Sequence, residues 1–85
     1  MLTKHARSVL VKLRELNIGE TGKIVRVLPN SIHNRRLCEM GFLPGTLFKI
    51  AHIAPLGYPI SIEIRGYKVV LSKLDALSIE IEKVV

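Results

Sequence analysis

Isoleucine at positions 60, 62 and 64, separated by Ser61 and Glu63, is the clearest period in the chain. Alternation of this kind puts one face of a strand in a core and the other in water. Similar logic extends in both directions. "TGKIVRVL" (21–28) is β-branched and apolar, follows the turn sequence "IGETG", and is ended by Pro29 and Asn30 because proline cannot continue a central ladder. "TLFKIAHIA" (46–54) predicts a further strand after the turn "LPGT" (43–46). "KVVLS" (68–72) returns from a turn at Gly66 and Tyr67 as the hairpin partner of the isoleucine strand. "SIEIEKV" (78–84) closes the pattern, with Ile79 and Ile81 facing in and Glu80 and Glu82 facing out.

One segment follows a different period. "SIHNRRLCEMG" (31–41) predicts a helix with Ser31 as N-cap, Gly41 just past the C-terminus and Phe42 folding back on the last turn. On it, Ile32, Leu37 and Met40 share a core-facing side, while Arg35 and Glu39 face solvent as an i, i+4 pair. "SKLD" (72–75) is a capping pattern for a single helical turn. Short strands at close spacing, with one α-helix inserted after the first, predict a mainly β chain folded as a small barrel, closed or nearly closed. Closure also removes the exposed edges that many short strands create.

Size and charge narrow the picture. A chain of 85 residues, 48% hydrophobic and 24% charged, makes one globular domain. A single cysteine excludes an internal disulfide framework and a CxxC-type zinc site, which makes a reducing cytosol the default. No apolar run approaches the ~18 residues of a spanning helix. The opening "MLTKHARSVLVKL" has neither the apolar length nor the cleavage site of a secretory signal, so a cytoplasmic protein is expected. The net charge of +6 is one-sided: eight Lys/Arg lie in residues 1–36 against Glu15 and Glu20, whereas later basic and acidic residues balance. Residues 1–12 read as a basic N-terminal segment, a first strand or a solvated tail, ahead of a single domain at 13–85. Such a field suits an acidic protein surface, a membrane face or nucleic acid, and selects none of them.

Candidate chemistry is sparse. Cys38 lies within the helix, where a lone thiol serves as a small core or boundary residue. His5, His33 and His52 are far apart and join no cysteine cluster, so no metal site and no cofactor are expected. No serine sits in a nucleophile elbow, the acidic residues are scattered along strand exteriors, and "GETG" leads into a strand where a phosphate-cradling loop needs a helix. No enzymatic activity is expected. The loop "APLGYP" (54–59) is more informative. Pro55 pre-sets φ at the second position of a type I turn and Gly57 suits the fourth. Pro59 pushes Tyr58 into extended geometry, which leaves Leu56 held outward and stiff.

"IGETGKIVRV", "RRLCEMGFLPGT" and "APLGYPISIEIRGYKVVLSKLDA", in that order in so short a chain, resemble the FeoA family of small cytosolic accessory proteins in bacterial ferrous-iron uptake. The resemblance covers roughly residues 13–82. It implies an SH3-like β-barrel, no catalysis, and a partner, the large membrane GTPase that serves as the Fe(II) permease (FeoB type). The protein would thus stay peripheral at the inner membrane through that partner. The partner-binding residues expected on this basis are Arg35 and Arg36, whose guanidinium groups suit paired carboxylates, and Pro55, Leu56, Gly57 and Tyr58, which present an apolar anchor. A structural role, capping carbonyls in the barrel, is the alternative for Arg36. Two positions depart from the family pattern. Tyr58 stands where many members have aspartate, and Ser72 where many have arginine, and both are expected to face solvent.

Two other readings share some of these residues. "GETGKIVRV" also resembles the opening of small RNA-binding barrels, and the N-terminal half is basic. Single-strand binders add stacking rings, yet this chain has only Phe42, Phe48, Tyr58 and Tyr67, with both phenylalanines expected in the core. The SH3-like regulatory domain of iron-dependent repressors is the third reading, for which a helix-turn-helix ahead of the domain would be expected.

Overall fold

The computed structural model describes residues 8–84. Ile60, Ile62 and Ile64 all point into the core, as their alternation requires. They lie on the fourth of six antiparallel strands: β1 (Ser8–Val11), β2 (Thr21–Val27), β3 (Leu47–Ile53), β4 (Ile60–Ile64), β5 (Tyr67–Leu71) and β6 (Ile79–Val84). The sheet order is β1-β6-β2-β3-β4-β5, which leaves β1 and β5 at the edges. Inward residues of β2 to β6 meet in one core, joined by Leu13 and Leu16 from a 3-10 turn (Leu13–Glu15) and by Leu37 and Phe42.

Register shifts explain departures from strict alternation. Against β6, the pairing of β2 slips between Ile24 and Arg26, so that Ile24 and Val27, three apart, both face inward. Arg26 turns outward onto Glu80, with Nε 2.9 Å from Oε1. The pairing of β3 with β4 slips likewise between Ile50 and His52. The hairpin turn is Arg65–Gly66, both at positive φ (52° and 90°), and Tyr67 already pairs with Ile64. The turn thus falls one residue earlier than the sequence suggested. A two-residue connection with positive φ at both centres matches the twist of the flanking strands.

Of the basic opening segment, residues 1–7 lie outside the described residues, and 8–11 join the sheet as β1, running antiparallel to β6.

The first helix is shorter than its sequence pattern. α1 spans Asn34–Glu39, with His33 at its N-cap and no side-chain cap there. Ser31, expected as the cap, instead accepts from the His33 N–H (3.0 Å) and shares a 2.6 Å hydrogen bond with Ser78 Oγ. Side-chain hydrogen bonding of this kind competes with helix initiation, so the N-cap falls two residues later, at His33. Ile32 consequently sits in the preceding turn, 91% exposed, and not on a core-facing helix side. The C-terminus forms as expected. Gly41, at φ 98°, and Phe42 donate to the carbonyls of Cys38 and Leu37, and Phe42 closes over Leu37 in the core. α2 (Lys73–Leu77) carries a reciprocal cap: Ser72 Oγ accepts from the Asp75 N–H (3.2 Å), and the Ser72 N–H donates to Asp75 Oδ2 (3.0 Å).

Candidate functional site

The loop between β3 and β4 is built from its own backbone. The Gly57 N–H donates to the Ala54 carbonyl at 2.8 Å, closing the four-residue turn Ala54–Gly57, and the Ala54 N–H donates to Pro59 O at 3.1 Å across its base. Gly57 takes φ 99°, a conformation open to glycine at little steric cost. Leu56 at the tip is 97% exposed. Tyr58 corrects the sequence reading: its ring is half-buried against the core. Ser72, the other departure from the family pattern, is exposed but occupied as the cap of α2.

The arginine pair divides into two environments. Arg35 is exposed and meets only Glu39, with Nε 3.3 Å from Oε2. Arg36 reaches across to α2, where its Nη2 donates to Asp75 Oδ1 at 2.5 Å. Its structural partner is therefore a carboxylate and not the carbonyls considered from sequence. Asp75 is buried, and its Oδ1 also lies 3.2 Å from His33 Nδ1. Burial pushes its carboxyl up, but hydrogen bonds from the Ser72 backbone and from Arg36, together with the Ser72 side chain, outweigh this and hold it below the ordinary carboxylate range. His33 Nε2 is buried without a hydrogen-bond partner. Cys38 is half-buried beside Asn34. Among the described residues no group of three or more His, Cys, Asp or Glu is arranged to hold a metal ion.

Leu56, Gly57 and Tyr58 form one wall of a groove of 1090 Å³ whose other walls are β1, the 3-10 turn, α2 and the start of β6. Neither Arg35 nor Arg36 lines it. α2 stands between the two halves of the expected site, since its Asp75 holds Arg36 while its Lys73, Ala76 and Leu77 face the groove. A shallower groove of 610 Å³, lined by Ile32, His33 and Leu74 among others, adjoins the first through Leu28 and Leu77. Leu10, Leu74 and Leu77 are exposed, and sequence reasoning passed over all three. Nothing local marks them, because leucine on a short edge strand or a one-turn helix is also what a core residue looks like.

The fold and this surface define a small mainly β barrel that presents an apolar groove and a rigid leucine tip at its rim. Comparison with solved structures places it among SH3-like barrels. A FeoA-like protein from Clostridium acetobutylicum, 32% identical, superposes with a TM-score of 0.79 over 92% of this chain and 88% of its own. A zinc-complexed FeoA from Stenotrophomonas maltophilia, described as a procaryotic SH3 domain protein, shares the fold at 23% identity and a TM-score of 0.69, over 81% of this chain and 86% of its own. A Porphyromonas gingivalis protein described as an Fe(2+) transport protein A/Fe(2+) transporter FeoB fusion is 38% identical over 72 residues, which are 85% of this chain and 8% of that protein. The chain thus spans under a tenth of the length of that curated relative. The family model for the FeoA domain matches residues 11–83, and the chain belongs to the FeoA family. No helix among the described residues is long and apolar enough to cross a membrane.

Proposed function

We propose that this protein is a non-catalytic cytosolic accessory protein of bacterial ferrous-iron uptake that docks on the cytoplasmic part of an FeoB-type membrane GTPase permease and modulates it. The observation that carries the reading is the fusion relative, in which a segment 38% identical to this chain shares a polypeptide with an Fe(2+) transporter. Covalent fusion keeps two modules at high effective concentration, which is useful where they act together. The docking elements are the Pro55–Tyr58 loop and the arginine pair. Leu56 supplies an apolar anchor whose backbone is already ordered, so little conformational freedom is lost on binding. Arg35 offers an exposed guanidinium to a partner carboxylate, while Arg36 has its second face half-exposed beside it.

Co-purification of the tagged protein with the permease, alongside Fe²⁺ uptake by whole cells, tests the reading. Leu56→Asp is expected to lower recovery about tenfold, the loss typical of one interface anchor. Uptake should fall with it. Undiminished recovery and uptake in that variant would remove the loop from the docking site, and no recovery with the unaltered chain would remove the partner.

A further inference from the structure

The larger groove joins apolar and charged features that the sequence keeps apart. Leu10 on β1, Leu56 on the loop and Leu77 on α2 border it from three elements, 66%, 97% and 59% exposed. Three cations, Lys12, Arg14 and Lys73, stand around them, and among the described residues none forms an ion pair. Of the two acids in the same lining, Glu80 pairs with Arg26, while Glu15 keeps its charge and turns its Oε1 to the Lys12 backbone N–H at 2.6 Å, so three cations face one free carboxylate. The groove therefore has apolar walls and a rim of net positive charge.

We infer that this groove receives an amphipathic helix of the partner, with an apolar stripe at i, i+3, i+4 and i+7 and Asp or Glu residues on its flanks. The inference rests on the docking reading above and specifies the chemistry of the partner segment. A concave trough bordered by leucines fits the helix-in-groove mode, and acidic flanks complement Lys12, Arg14 and Lys73. Competing occupants fit less well. Residues 1–7 bring Lys4, His5 and Arg7 and no acid to a rim already positive. A second copy meeting groove to groove would oppose the same three cations to themselves, an arrangement that costs binding energy. Nucleic acid would satisfy the cations but find a single ring, Tyr58, in the lining, half-buried against the core.

The test is a nuclear magnetic resonance titration of the whole chain with two designed helical peptides that share one apolar stripe. One carries glutamates on its flanks and the other lysines. The acidic peptide is expected to shift backbone signals of residues 10–14, 56–58 and 73–77 and to bind at least about tenfold tighter than the basic one. Leu77→Asp and Lys73→Glu, both on the exposed side of α2, should each weaken it by about tenfold, whereas Lys49→Glu on β3 should not. Equal affinity for the two peptides, or shifts elsewhere on the molecule, overturns the inference. The same variants titrated with the permease's cytosolic domain separate the two readings. If that domain binds the unaltered chain and both α2 variants alike, docking stands and the groove is excluded. If it fails to bind while the acidic peptide occupies the groove, the groove stands and the proposed partner is wrong. Sedimentation with phosphatidylglycerol vesicles that is lost in Leu77→Asp, without preference between the peptides, would assign the groove to a membrane surface instead.

Discussion

Asp75 is the most constrained polar residue in the described structure, because three separate groups converge on one buried carboxylate. Its carboxyl is held below the ordinary range, so its contribution is present above the unfolded value near pH ~3.9 and is lost as pH falls through the lower folded one. Asp75→Asn should therefore lower the unfolding free energy by about 1–2 kcal/mol at pH 7, in the range of a charge-assisted cap and hydrogen bond. Urea unfolding at pH 7 and at pH 2.5 checks this, and the gap between variant and unaltered protein should shrink in acid. Gly22 makes a different demand. A Cβ there would lie 2.4 Å from Cζ of the buried Phe48 ring, which has no free end to swing away. Gly22→Ala should cost about 1–3 kcal/mol through overpacking, read as a lowered thermal midpoint. Neither demand was legible in sequence. The spacing of "SKLD" marked Asp75 as part of a cap, but Arg36 and His33 reach it only because α1 packs beside α2.

At the scale of elements, the parts read correctly are those whose cause is local. The β4 alternation, the Gly41–Phe42 stop and the Ser72 cap each depend on residues within a few positions of one another. The start of α1 depended on Ser78, 47 residues away, whose hydroxyl draws Ser31 out of its capping role and leaves Ile32 in the turn. The loop at 54–59 combines both cases. Its turn was legible from Pro55 and Gly57, whereas the inward lean of Tyr58 was not, because only the finished core offers the ring a place to pack. Since Leu56 touches little of its own molecule, Leu56→Asp should change the unfolding free energy by less than about 0.5 kcal/mol. Chemical denaturation would establish that any loss of docking in that variant is not a loss of fold.

Over the whole molecule, charge and shape act together. A net charge of +6, with three rim cations that form no ion pair among the described residues, should make association with an acidic partner fast at low salt and slower as salt screens it. Stopped-flow mixing with the permease's cytosolic domain should show the association rate falling about tenfold or more between 50 and 500 mM salt, with a much smaller change in dissociation. A rate independent of salt would remove electrostatics from the encounter. The amino-acid sequence alone determined the strand count from β2 to β6, the presence of the inserted helix, its Gly41 stop, the Ser72 cap, the exposed leucine tip and the family, because each rests on short-range periodicity or on residues a few positions apart. Only the tertiary structure decided that β1 joins the sheet, that Arg36 is tied to Asp75, that Arg35 and Arg36 stand outside the groove, and that Leu10, Leu56 and Leu77 meet across it. Those features join residues tens of positions apart. A chain's local pattern says which side chains turn inward, but which distant segments come to share a surface is settled when the sheet curls around its core.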